Sequence, residues 1–196
     1  MTQAVPPEPV WPFVGVLAAN GAALDCARKA VSLAMGSIGL EAGPFSFHHT
    51  EYYARETGPS ILRLFFGFTS PVSPDWLAGA KTRTNELEAE AARVMASAVS
   101  GGWPRPVNLD PGYVTPAKVV LASAKDFNHR VYLRDGIYAE VTLRYRRGSG
   151  GTGRYEAFPW TFPDFAEDRY HPFLLRLRGF LMRQRAAKTT ARQGAG

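Results

Sequence analysis

Cysteine is nearly absent. Cys26 is the single one in 196 residues, which excludes an intramolecular disulfide framework and any Cys-x-x-Cys zinc pair and fits a reducing compartment. Long apolar runs are missing as well. The run from Phe13 to Ala19 is too short for an export signal, no positively charged segment precedes it, and no stretch approaches the length of a membrane span. The expectation is a soluble cytoplasmic protein. Acid is lacking at one end: residues 169–196 hold Arg169, Arg176, Arg178, Arg183, Arg185, Lys188 and Arg192 and no Asp or Glu, so the formal charge of +6 belongs to the C-terminus and the rest of the chain is close to neutral. A phosphate-binding P-loop is also absent, because the glycine-rich stretch from Gly148 to Gly153 lacks the following Lys-Ser/Thr. That stretch matches G-x-G-x-x-G, yet a strand-like Arg-Tyr-Glu-Ala-Phe follows it and supplies no helix N-terminus for a pyrophosphate.

What is present is a chain 45% hydrophobic, long enough to bury one sizeable core. Residues 1–9, with three prolines, form a flexible lead-in; 10–185 make a single domain; 186–196 are expected to be a disordered basic tail. Trp11 to Ala19 reads as a strand. Asn20 caps a helix over 21–35, with Leu24, Ala27, Val31, Ala34 and Met35 on its apolar stripe and Gly36 as its stop. Phe45 to His49 reads as a second strand, Thr50 as the cap of a short helix ended by Gly58-Pro59, and Ile61 to Phe68 as a central strand. A long helix spans about Asp75 to Ala98, its core stripe being Leu77, Ala80, Leu87, Ala91, Val94, Met95 and Ala98. Strands follow near 106–109, over 118–123, in a hairpin from His129 to Tyr145, and over 155–162. A terminal helix beginning at Pro172 buries Phe173, Leu174, Leu177, Phe180 and Leu181 together with Tyr170. The order predicts an α+β fold, an antiparallel sheet with helices packed mainly on one face, whose first six elements match a ferredoxin-like βαββαβ unit.

Chemistry concentrates between Arg105 and Thr142. Asp110-Pro111-Gly112-Tyr113 reads as a type II turn. In the hairpin, a three-residue turn Arg134-Asp135-Gly136 segregates the faces best: Val131 opposes Ala139 and Leu133 opposes Ile137 on an apolar side, with Tyr132 opposite Tyr138 and Arg130 opposite Glu140 on the other. Arg130 and Glu140 are then either a solvent-facing ion pair or a ligand wall, in which Arg130 offers a fork of donors to an oxyanion. Asn108 and Asp110 share one side of a short strand. Lys81, Thr84, Asn85 and Glu88 share one side of the long helix, where Thr and Asn are poor helix formers and hint at side-chain contacts. His48 and His49 point to opposite faces of a strand, which argues against a joint metal site with Glu56.

Several blocks together resemble a bacterial family known as domain of unknown function 4416: Phe45-Ser-Phe-x-x-Thr50-x-Tyr52-Tyr53-x-x-Glu56-x-Gly58, Lys81-x-x-Thr84-Asn85-x-Leu87-Glu88, Arg105-x-Val107-Asn108-x-Asp110-Pro111-Gly112-Tyr113, Ala122-Ser123-x-Lys125-Asp126-x-x-His129-Arg130 and Gly136-Ile137-Tyr138-Ala139-Glu140-x-Thr142-Leu143. The resemblance runs from about Val10 to Phe180. It implies that these blocks are the family's signature, and it brings no activity with it.

The expected function is the binding of an anionic small molecule, a nucleotide or other phosphorylated metabolite, in a polar pocket. Lys81, Asn85, Glu88, Asn108, Asp110, Lys118, Lys125, Arg130 and Tyr138 are its candidate contacts. Were the protein an enzyme, His129 and Glu140 would be the catalytic pair, and Glu140 with Asp110 could take a divalent cation. The alternative is a noncatalytic module that binds RNA or a protein through the basic C-terminal helix and tail.

Overall fold

The computed structural model describes residues 3–48, 54–98, 103–148 and 153–193. In chain order the elements are β1 (Trp11–Ala18), α1 (Gly21–Met35), β2 (Ile38–Ser46), α2 (Ala54–Thr57), β3 (Leu62–Phe68), α3 (Trp76–Ala98), β4 (Val107–Val114), β5 (Lys118–Ser123), β6 (Val131–Arg134), β7 (Ile137–Arg147), β8 (Gly153–Ala157) and α4 (His171–Gln193). A 3-10 turn, Asp168–Tyr170, leads into α4. The fold is α+β. All strands join one antiparallel sheet in the order β2-β3-β1-β4-β5-β7-β6, with β8 on β7. The segment β2-β3-β1-β4, crossed by α1 and α3, has the strand order of a ferredoxin-like unit.

Alternation along the strands creates two cores. Val14 and Val16 of β1, Leu64 and Phe66 of β3, and Val107 and Leu109 of β4 point to the side where α1 and α3 pack. Phe13 and Phe65 point the other way, onto Phe173, Leu174 and Leu177 of α4. Two long helices therefore cover one face and the third covers the other. Local chemistry sets the helix ends. Asn20 accepts the Ala23 N–H at 2.9 Å, and Gly36 at φ 117° stops α1 where only glycine rests comfortably.

Four expectations change. First, β2 starts at Ile38 and not near Phe45, and β8 ends at Ala157, giving way to turns before Phe162. Second, Asp110-Pro111-Gly112-Tyr113 is no turn but the middle of β4. Pro111 sits just before β4 meets β5, where the first paired residue is Gly112, so its missing N–H breaks no ladder bond. Gly112 is there for room: a Cβ would stand 2.6 Å from Leu121 Cδ2 and 2.7 Å from the Val120 carbonyl.

Third, the hairpin turn has two residues, Asp135 and Gly136, both at positive φ (56° and 74°), as a type I′ turn requires. A bulge at Leu133 then restores the pairs Val131↔Ala139 and Tyr132↔Tyr138, while Arg134 faces Ile137. The apolar side of β6 is not covered, since Val131 and Leu133 are exposed on this edge strand, as is Val94 on α3. Fourth, α4 continues through Gln193, so residues 186–193 are helical where a disordered tail was expected. Residues 3–8 are exposed and without regular structure. His49, Thr50, Tyr52 and Tyr53 lie outside the described residues, as do residues 149–152 of the glycine-rich stretch.

Candidate functional site

The site begins where the sheet comes apart. β4 pairs with β5 only over Gly112–Val114, so the first half of β4 has no strand on that side. Side chains of α3 take the strand's place. Glu88 Oε1 accepts the Leu109 N–H at 2.8 Å, and Lys81 Nζ donates to the Leu109 carbonyl at 2.8 Å. Thr84, one turn away and fully buried, donates to the Lys81 carbonyl at 3.0 Å. Buried backbone groups must be paired, and this explains why polar residues interrupt the apolar helix.

From this clamp a chain of alternating charges runs inward. Arg105 Nη2 lies 2.7 Å from Glu88, Glu88 lies 3.8 Å from Lys81, Lys81 Nζ lies 3.6 Å from Asp110, Asp110 Oδ2 lies 4.0 Å from Arg63 Nη1, and Arg63 Nη2 donates to Asp164. Arg105 is placed by its own backbone, whose N–H reaches the Glu56 carbonyl of α2 at 2.9 Å. Asn108 donates to Asp110 at 2.7 Å and accepts from Arg105, tying the outer links together. Arg63 is the deepest member, 1% exposed, its guanidinium 5.0 Å from the rings of both Phe65 and Phe165.

Burial pushes the Glu88 carboxyl above the ordinary glutamate range, although Lys81, Arg105 and the Leu109 N–H all pull it back. A carboxyl whose folded-state value is raised binds its proton more tightly in the native protein. Its contribution to stability is therefore present below the ordinary value of about 4.3 and is lost as the pH rises through the higher folded-state value. The neutral variant Glu88→Gln should gain on the wild type in melting temperature as pH is raised from about 4 to 7. A difference between the two that stays constant with pH would contradict this assignment.

The opposite wall comes from β5, β7 and the loop before β6. Arg130 donates to Glu140 Oε2 at 2.9 Å, to Ser123 Oγ at 2.6 Å and to the Lys125 carbonyl at 3.1 Å. His129 stands with Nε2 3.1 Å from Glu140 Oε2 and Nδ1 3.1 Å from Asn128 Oδ1, so both ring nitrogens are held by neighbouring side-chain oxygens. The Arg130–Glu140 pair meets as the hairpin register requires. It is not solvent-facing: the side chains are 14% and 8% exposed. The segment after β8 closes the site. Trp160 Nε1 donates to the Val141 carbonyl at 3.0 Å and Thr161 Oγ1 to the Thr142 carbonyl at 2.5 Å, on the edge of β7 left open between β6 and β8. Between the two walls lies a cavity of about 490 Å³.

A family model described as Domain of unknown function (DUF4416) matches residues 8–180. The chain belongs to the DUF4416 family. Comparison with curated proteins and with solved structures gives no match. The DUF4416 match contains every residue that lines the cavity, and it ends inside α4, before residues 186–193.

Of the residues singled out from the DUF4416 sequence, Lys81, Asn85, Asn108, Asp110, Lys125, His129, Arg130 and Glu140 line this one cavity. Glu88 stands just behind it, holding Arg105. Lys118 and Tyr138 do not line it. Lys118 begins β5 and pairs with Arg144, about 17 Å along the strand from Ser123 at roughly 3.3 Å per residue. The Tyr138 ring packs on Tyr132 at 5.4 Å on the hairpin's outer part. The two carboxylates considered for a divalent cation are occupied by protein cations, and no group of three or more His, Cys, Asp or Glu able to hold a metal occurs among the described residues. Arg63, Arg105, Asp164, Trp160 and Phe162 line the DUF4416 cavity without having been named as contacts. For Arg63 a signal existed: one charge in the run Leu62-Arg63-Leu64-Phe65-Phe66, at a position where a central strand has no solvent-facing side. No helix among the described residues is long and apolar enough to cross a membrane.

Proposed function

We propose that this is a cytoplasmic protein that binds an anionic small molecule, a phosphorylated metabolite or nucleotide, in the cavity between β4 and β5. One observation carries the reading. Arg63, almost wholly buried, leaves Nε and Nη1 without a hydrogen-bond acceptor among the described residues, and Nη1 is 4.0 Å from the closest oxygen of Asp110. Buried charged donors left unmade are costly, commonly about 1–3 kcal/mol each and more for charged groups, so an oxyanion in the cavity supplies what the protein withholds. Five cationic side chains (Arg63, Lys81, Arg105, Lys125, Arg130) line the space against three carboxylates (Asp110, Glu140, Asp164). Within this reading His129 and Glu140 are the pair able to move a proton.

The test is a thermal-shift panel of inorganic phosphate, pyrophosphate, sugar phosphates and nucleotides. A ligand at ~100 times its dissociation constant adds roughly 2.7 kcal/mol to stability, a shift read directly in the melting temperature. The competing reading, an RNA- or protein-binding module, draws on Arg176, Arg183 and Lys188, all exposed on α4. No shift across the panel, together with salt-dependent RNA binding that disappears on removal of residues 186–196, would favour it.

A further inference from the structure

Oxyanion recognition accounts for the floor of the cavity but not for its mouth. Of twelve phenylalanines in the chain, Phe127 and Phe162 are the two that are exposed, at 50% and 43%, and both line this cavity. Trp160, 41% exposed, lines it with them. Every other phenylalanine is buried or half-buried, so apolar rings gathered around a charged cavity are not the general habit of this surface.

The rings differ in what already covers them. Trp160 is fixed: it stacks on Phe158 at 4.8 Å and 3°, and on His129 at 5.6 Å and 14°, while its indole N–H is held by Val141. Phe127 has the Arg130 guanidinium over it at 4.6 Å and leans on His129 at 5.9 Å. Phe162 has no ring contact among the described residues. A rigid stack thus ends beside one ring that is partly covered and one that is not. At about 490 Å³ the cavity also has the size that holds a whole small molecule and not a lone oxyanion.

We infer that the ligand has two ends, a phosphate-class anion for Arg63 at the floor and a planar aromatic ring that packs against Phe162 and Phe127 at the mouth. This rests on the reading of the cavity as an anion site and narrows it from phosphorylated compounds at large to those that carry a ring. Flat π-systems stack on aromatic side chains whatever their substituents, so the mouth selects a ring without specifying which one.

Phenyl phosphate and methyl phosphate share the anion and differ in the ring. Titrations of both into the full chain, followed by calorimetry or NMR shifts, should show phenyl phosphate binding roughly tenfold to a hundredfold more tightly. Phe162→Ala changes an exposed side chain that makes no ring contact among the described residues, and in this variant that advantage should shrink severalfold with methyl phosphate affinity unchanged. Equal affinity of the two esters for the wild type, or an advantage undiminished in Phe162→Ala, would overturn the ring while leaving the anion site standing. Binding of neither ester would overturn both.

Discussion

Arg63→Met lowers stability by about 3–5 kcal/mol, the usual cost of leaving one member of a buried ion pair behind, and abolishes anion binding. Asp164, 1% exposed, is the reason for the first effect, because the substitution takes away the guanidinium that balances its charge. The double variant Arg63→Met/Asp164→Leu removes both charges and recovers most of the lost stability, since replacing a buried pair by apolar groups of similar volume is often close to neutral. Binding does not recover with it. Urea midpoints give the first quantity and ligand titration the second. If the double variant is as unstable as the single one, Arg63 acts mainly through its packing between Phe65 and Phe165 and not through its charge. If the stable double variant still binds phosphate, Arg63 is not the floor of the site.

Leu177→Ala costs about 2–5 kcal/mol, as expected of a fully buried leucine, and leaves phosphate binding intact in the molecules that remain folded. The neighbouring position sharpens this prediction. A Cβ on Gly67 of β3 would stand 2.6 Å from Leu177 Cδ2, so the leucine methyl fills the space where a side chain at 67 would be. Gly67→Ala alone is destabilising through overpacking, by about 1–3 kcal/mol. Combined with Leu177→Ala it fills part of the cavity, and the double variant is more stable than the sum of the single losses. Denaturation of the four proteins as a cycle measures the coupling, and simple additivity would show that α4 adjusts its distance to the sheet freely.

Local signals carried much of the fold. The Asn20 cap and the Gly36 stop bracket α1 residue for residue, and the apolar stripe of α4 is the one that packs. In the hairpin, the segregation of an apolar from a polar face led to the right pairs, Val131↔Ala139 and Tyr132↔Tyr138, through the wrong turn: the Leu133 bulge absorbs the extra residue that a longer turn would have held. Asp-Pro-Gly-Tyr misled because Pro-Gly is a turn signal only where the chain is at liberty to turn. Here both residues answer to neighbours, Pro111 to a break in the ladder and Gly112 to Leu121 and Val120. Eight of the residues named from local pattern line one cavity because the blocks that hold them border the gap between β4 and β5. Arg63 and Asp164, 101 residues apart, had no such border to mark them; their meeting is a property of the sheet order, which no local spacing encodes.

The clamp on Leu109 has a consequence for how the molecule is held together. Two half-sheets are joined by a short stitch, Gly112–Val114 against Val119–Leu121, and beyond it by α3, whose Leu77 and Ala78 pack on Val120, Ala122 and Ile137 while its Glu88 and Lys81 hold Leu109 of β4. The width of the opening between them is therefore gauged by side-chain length and not by the fixed spacing of strands. Glutamate is one methylene longer than aspartate. With Glu at 88 the helix holds β4 at arm's length, and the aperture through which any ligand enters is measured in carbon atoms of a helix side chain.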